Sequence, residues 1–261
     1  MGRVREALEA RARQDDKAII PYLVAGYPSL EESLDLLIAL QEMGATAVEV
    51  GIPFSDPMAD GPTIQKAHAH ALKQGVTPGT ILEALGGMKG RLNMPIILMT
   101  YYNPVFRMGE EIFARRAREA GVSGVIIPDL PPEEGQKWVA AAQGVGLDTV
   151  FLVAPNTPLE RIEFIASATT GFLYYLALKG VTGSAIRDAR EVAQKVAEVR
   201  EIVDIPVCVG FGISTPREVV LLARGADGII VGSALIRALD EGGKAGLLEL
   251  FYRLKESLDG H

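Results

Sequence analysis

A (β/α)8 barrel is the fold this sequence predicts, with an extra helix at the N-terminus and extra helices after the second and eighth strands. Three observations carry that expectation. One unit recurs: a helical stretch ends at glycine and a short Val/Ile-rich run follows, as in "LQEMGATAVEVG", "AREAGVSGVIIPD", "AAQGVGLDTVFLVAP" and "LLARGADGIIVGS". Eight strand candidates lie near 18–24, 46–50, 95–100, 123–127, 148–153, 171–176, 206–210 and 227–231, separated throughout by helical patterns. Their runs are apolar on both faces, as expected of parallel strands covered by helices. Finally, the 261 residues contain no linker, low-complexity stretch or composition break, so 1–261 reads as one domain. A doubly wound open sheet is the competing fold.

Taken in order, the elements justify themselves locally. The opening segment "MGRVREALEARARQDDKAII" is charged and helix-like, without the apolar centre of a signal peptide. Between the first two strands, Leu30, Leu34, Leu37 and Ile38 recur at helical spacing. Ser29 with Glu32 predicts a capping box at the start of that helix. A further helical pattern follows the second strand, between 62 and 75. Thr157/Glu160 and Thr215/Glu218 repeat the capping signature, with Pro158 and Pro216 at the first helical position, where no amide hydrogen is needed. Val192, Val196 and Val199 share one face of the helix before the seventh strand. Gly44, Gly121 and Gly225 read as helix C-terminal caps. Trp138 sits in a helical pattern and reads as packing. "SALIRALDEGG" supplies the extra helix after the eighth strand.

Composition narrows function. A hydrophobic fraction of 48% supports a sizeable core, and a formal net charge of −7 argues against nucleic acid or an anionic membrane as partner. No apolar run approaches the roughly 18 residues of a membrane span. Cys208, the only cysteine, lies in "VCVG" and reads as a small buried hydrophobe, which suits a reducing cytosol and a cytoplasmic location. His68 and His70, two apart on a helix, do not share a face, and His261 is terminal. No metal-ligand cluster or His-based nucleophile is visible, so no metal is expected.

In such barrels the chemistry sits at the C-terminal ends of the strands. The second strand ends in "VEVGIPFSDPMADGP". Glu49 alternates with Val48 and Val50; if the valines face the helices, Glu49 faces the barrel mouth. Apolar surroundings raise a carboxyl's pKa, which makes it a usable proton donor and acceptor near neutrality. The alternative is a buried structural acid bonded to a loop amide. Asp60 and Asp56, read on their own, are ordinary turn residues. The exits of the seventh and eighth strands, "VGFGIS" and "VGSA", place Gly210, Gly212, Gly232 and Ser233 where barrels bind phosphate, although such glycines also serve tight turns. "GFGIS" is not a dinucleotide fingerprint, since Thr215 occupies the last glycine position. The segment 180–187, "GVTGSAIR", is either a closing lid or an ordinary long loop. Lys179, just past the sixth strand, leaves a Schiff-base aldolase open.

Together "VEVGIPFSDPMADGPTIQKA", "YYNPV", "GFLYYLALKGVTG", "VGFGIS" and "VGSA" resemble the α subunit family of tryptophan synthase, in order and over nearly the whole chain. The resemblance implies a barrel that cleaves indole-3-glycerol phosphate into indole and glyceraldehyde 3-phosphate. It assigns Glu49 as the acid/base and Asp60 as the acid that engages the indole N–H. It makes Tyr174 an active-site tyrosine and Thr182 the lid threonine that meets the second-strand loop. Gly183, Gly212, Gly232 and Ser233 become phosphate-binding positions. Tyr22 stands where the family often has Phe beside the indole ring. The lid position of Lys179 weakens the Schiff-base alternative. No cofactor is implied for this chain; pyridoxal phosphate is expected only in a partner β subunit, within an α2β2 complex. The second-strand segment "GIPFSDPMADG" is expected to expose Ile52, Pro53, Phe54 and Met58, as a docking surface or as a cap of the barrel; with the resemblance, Pro53, Asp56 and, after the third strand, Asn103 become candidates for that interface. A different phosphosugar barrel, or a non-catalytic indole-binding barrel, are the competing functions.

Overall fold

The computed structural model describes residues 2–177, 185–210 and 212–259, with the side chains of 185–188 left aside. Eight parallel strands close on themselves in sequence order: β1 (Ala18–Val24), β2 (Val48–Gly51), β3 (Ile96–Met99), β4 (Gly124–Ile126), β5 (Asp148–Val153), β6 (Leu173–Leu176), β7 (Val207–Gly210) and β8 (Gly228–Val231). Closure between β1 and β8, through pairs such as Ile19↔Ile229, excludes the open sheet. Each strand falls inside or within one residue of the run expected for it.

The strand period sorts side chains into two shells. Val48 and Val50 are buried among residues of the surrounding helices, including Leu36, Leu40 and Leu85. Ala18, Ile20, Ala47, Ile97, Ile126, Val150, Phe172, Tyr174 and Cys208 form a separate cluster, which fills the barrel. Helix α1 (Arg3–Ala12) adds Val4 and Leu8 to this inner cluster. Asp148, at the start of β5, accepts from the Val4 amide at 2.9 Å. The N-terminal helix therefore plugs one end of the barrel, each apolar side chain contributing about 1.5–3 kcal/mol. The chemistry is left to the other end.

Helix α2 (Leu30–Glu42) begins with half of the expected box: Ser29 accepts from the Glu32 amide, while the Glu32 carboxylate accepts from the Ser29 hydroxyl. Its buried face is Ser33, Leu36, Leu37 and Leu40, rotated from the predicted stripe, so that Leu30 and Leu34 pack only at its edge. Ser33 is tolerated inside because its hydroxyl donates to the Leu30 carbonyl and accepts from the Gly26 amide. Helix α10 (Pro216–Ala223) carries the full Thr215/Glu218 capping box. The Thr157 box is not formed. Helix α8 (Leu159–Ser167) starts after Pro158, and the Thr157 hydroxyl instead accepts from the Ala154 amide at 2.9 Å, tightening the turn before it. A box not foreseen, Thr77 with Thr80, starts α4 (Pro78–Gly87).

Gly44 and Gly121 have φ of +85° and +90°, as glycine caps require. Gly225 is no such cap. A Cβ there would lie 2.0 Å from the Ala193 carbonyl oxygen, so glycine is needed for close approach to α9 (Ala185–Ile202). Val192, Val196 and Val199 are buried on α9, and Trp138 packs edge-on to Phe113 inside the helical layer. After β2 come α3 (Pro62–Lys73) and α4; after β8, α11 (Ser233–Asp259) breaks at Gly243. After β3 the chain makes two helices, α5 (Tyr102–Met108) and α6 (Glu110–Glu119), where only one was expected.

Candidate active site

Glu49 is paired in register with Tyr22 on one side and Ile97 on the other. With its valine neighbours facing the helices, its carboxyl faces the barrel interior and is only 1% exposed. Its Oε1 has no hydrogen-bond partner among the described residues, so the loop-amide reading has no support on that oxygen. Burial, reinforced by the nearby charge of Asp60, pushes the carboxyl up to about 8. A carboxyl held protonated at neutral pH can donate a proton and then take one back.

Asp60 closes the turn before α3, its amide donating to the Pro57 carbonyl at 3.0 Å. The turn reading is correct as far as it goes, but the side chain is buried and anchored. Tyr101 donates its hydroxyl to Asp60 Oδ2 at 2.8 Å, and His68 Nε2 lies 3.4 Å from the same oxygen. Gln65 donates to the Asp60 carbonyl at 2.8 Å. Tyr101 also accepts from the Ala59 amide and stacks on Phe54 with ring centroids 5.1 Å apart.

Two of these residues escaped sequence reasoning. Tyr101 lay in plain view in "TYYNP", at a strand exit. His68 and His70 do point different ways: His70 is exposed and bonds the Pro28 carbonyl, while His68 is 2% exposed. The missed signal was that His68 adjoins Ala67 and Ala71 on the apolar face of α3, where a polar ring needs partners.

The two tyrosines expected at the site are both buried. Burial raises each phenol well above its usual range, helped by the nearby Glu49 and Asp60 charges. Each hydroxyl occupies space that a glycine leaves open. A Cβ on Gly51 would lie 2.3 Å from the Tyr22 hydroxyl, and one on Gly210 would lie 2.2 Å from that of Tyr174. Gly210, read from sequence with the phosphate glycines, thus serves to admit Tyr174. Gly212 adopts φ +73°. The Gly232 carbonyl accepts from Leu235 and Ile236, so Gly232 and Ser233 open α11. Helical geometry leaves the first amides of such a helix free for an anion. Lys179, Thr182 and Gly183, with most of the predicted lid, lie outside the described residues.

The loop after β2 departs from expectation. Ile52 and Pro53 are buried rather than exposed, since the strand geometry continues past Gly51: the Ile52 amide donates to the Met99 carbonyl at 2.8 Å. Phe54 is half-buried against Tyr101. Met58 is 90% exposed, and Asp56 and Asn103, the latter on α5, are exposed as well.

A family model described as tryptophan synthase alpha chain matches residues 8–256. A relative of that name from Picosynechococcus sp. is 43% identical over 263 residues, covering 99% of this chain and all of its own. Another, from Halorhodospira halophila, is 44% identical, covering 99% of this chain and 94% of its own. The crystal structure of tryptophan synthase subunit alpha from Legionella pneumophila superposes with a TM-score of 0.91 at 35% identity, covering both chains completely. That of tryptophan synthase from M. tuberculosis, in an aminoacrylate-bound form, gives 0.89 at 38% identity, covering 99% of this chain and 100% of its own. Closed barrel and buried acid pair together place the chain among (β/α)8 barrels that carry two buried carboxyl groups near the strand ends. Within that class, the chain belongs to the tryptophan synthase alpha chain family and is a lyase of tryptophan biosynthesis.

Proposed function

We propose that this chain cleaves indole-3-glycerol phosphate into indole and glyceraldehyde 3-phosphate, with Glu49 as the acid/base. The observation that carries the assignment is a fully buried carboxyl at a strand end whose Oε1 lacks a partner and whose pKa is pushed to about 8. Protonated Glu49 gives its proton to indole C3. Positive charge then builds on the ring nitrogen, where Asp60, fixed by Tyr101, accepts the N–H and stabilises it. The Glu49 carboxylate next takes the proton of the side-chain hydroxyl beside the scissile bond. The C–C bond breaks, its electrons return to the ring, and indole and the aldehyde separate. Tyr22 and Tyr174 line the ring's pocket. Gly183, Gly212, Gly232 and Ser233 hold the phosphate and so fix the substrate's far end, while Thr182 acts as the lid threonine that meets the loop after β2.

The same reading gives the chain a partner: a β subunit in an α2β2 complex, which carries the pyridoxal phosphate and receives the indole, in the cytoplasm. Asp56, Asn103 and the exposed Met58 form the docking surface; Pro53 acts from beneath it, as a support of the loop. Release of indole from indole-3-glycerol phosphate by the purified chain tests the activity directly. Absence of release, both alone and with β subunit present, overturns it.

A further inference from the structure

His68 has no role in the reaction as set out above, yet it is among the most buried polar residues of the molecule and stands against Asp60. The Phe54 amide donates to its Nδ1 at 3.1 Å. A ring nitrogen that accepts carries no proton, so the ring proton sits on Nε2. That nitrogen lies 3.4 Å from Asp60 Oδ2 and 3.4 Å from the Tyr22 hydroxyl. These distances are at the outer limit of a hydrogen bond, and contacts of this length are ordinary in a ligand-free active site, tightening when substrate binds. One imidazole therefore touches three parts of the site: the backbone of the loop after β2, the carboxylate at the end of that loop, and the tyrosine from β1.

We propose that His68 is a positioning residue for Asp60, joining it through one rigid ring to the Phe54 backbone and to Tyr22. The inference rests on the lyase reading and adds a residue to it. Helix α3 supplies the leverage. Ala67 and Ala71 are buried on the same side of it, so the ring cannot swing away without unpacking the helix. Tyr101 holds Asp60 Oδ2 from the β3 side; His68 approaches the same oxygen from α3. With that oxygen held from two elements, the carboxylate keeps one orientation toward the indole N–H instead of several. The Tyr22 hydroxyl supplies Nε2 with a second polar neighbour.

The two ring nitrogens can be mimicked separately. Glutamine places its terminal amide near the Nε2 position and keeps a donor toward Asp60, whereas asparagine places its oxygen near Nδ1 and keeps only the acceptor for Phe54. Steady-state indole release should be measured for wild type, His68→Gln, His68→Asn and His68→Leu, with Tm recorded for each. We expect His68→Leu to lower kcat roughly tenfold or more while KM changes little, as misplacement of a charged group does. His68→Gln should recover most of the loss and His68→Asn little of it, although all three lose a similar amount of Tm. If kcat is unchanged in all three, or falls in proportion to Tm with no advantage for glutamine, His68 is structural only and the proposal is overturned. An inactive wild type, by contrast, sinks the lyase reading itself.

Discussion

The Tyr101 hydroxyl donates to Asp60 Oδ2 at 2.8 Å while accepting from the Ala59 amide at 3.0 Å, so a single phenol holds a carboxylate and the backbone just before it. Burial and the charge of Asp60 keep that phenol well above its usual range, and hence a donor. Tyr101→Phe removes both contacts and leaves the stacking on Phe54 intact. A hydrogen bond to a charged group contributes about 1.5–3 kcal/mol. We expect a lower Tm and a kcat reduced roughly tenfold with a smaller change in KM. Steady-state kinetics beside a thermal melt check this; undiminished kcat means that Asp60 is held by other groups.

Glu49 links both activity and stability to pH, and both fall as pH rises. The reaction starts from the protonated acid, so kcat/KM should fall as pH rises through about 8. In the unfolded chain the carboxyl returns to its ordinary value of 4.5. Between 4.5 and about 8 the folded state therefore binds the extra proton, and stability falls as pH rises across that window before levelling off above it. Glu49→Gln has no such proton to lose. It should abolish turnover while leaving substrate binding largely intact. Its stability should match wild type near pH 4.5 and exceed it increasingly toward pH 8, by an amount on the order of 5 kcal/mol at most. Urea melts across this range, with binding and turnover assays, decide it. A constant stability difference means that the acid is not titrating in the folded barrel.

Gly210 and Tyr174 make a steric prediction. A methyl group at 210 would meet the tyrosine hydroxyl at 2.2 Å and its ring carbon at 2.7 Å. Gly210→Ala should cost about 1–3 kcal/mol through overpacking and displace Tyr174 from the site, lowering turnover as well. Adding Tyr174→Phe should restore only part of the Tm, because the ring carbon still clashes. Full tolerance of alanine would mean that the strand shifts to accommodate it.

Met58 is a large apolar side chain left 90% exposed in the loop that leads to Asp60. Met58→Glu should leave indole release by the isolated chain within about twofold of wild type, since surface changes are mostly mild. Affinity for the β subunit should fall by at least roughly tenfold, as placing a charge in a desolvated contact would require. Titration of the β subunit with each variant, read by calorimetry, measures both affinities. Equal affinities would place the docking surface elsewhere.

Much of this was written in local patterns. The alternation of Glu49 between two valines sets it on the opposite face from them, because side chains on a strand alternate faces; the packing of the valines against the helices makes that face the inner one. Eight apolar runs separated by amphipathic helices lead to a barrel, and each ends within one residue of the observed strand exit. Patterns that depend on a single competing contact were less legible. Thr157 looked like a helix cap, but its hydroxyl found the Ala154 amide nearer. Gly225 looked like a left-handed cap, but the constraint on it is the Ala193 carbonyl of another helix. Pro53 looked like loop surface, but the chain still runs along β3 there and buries it.

Sequence alone determined the succession of eight β/α units, an acid set opposite to its valine neighbours and the family resemblance, since each of these follows from periodicity or from contiguous residues; that β1 closes on β8 was decided by the structure. Only the tertiary structure decided what surrounds that acid. Asp60, Tyr101 and His68 come from three different elements, and their meeting depends on how α3 and the loop after β2 fold back over the barrel mouth. No spacing along the chain encodes that meeting. Burial then does the rest, by removing water from Glu49 and raising its pKa, and burial is a property of the packed molecule rather than of any one segment.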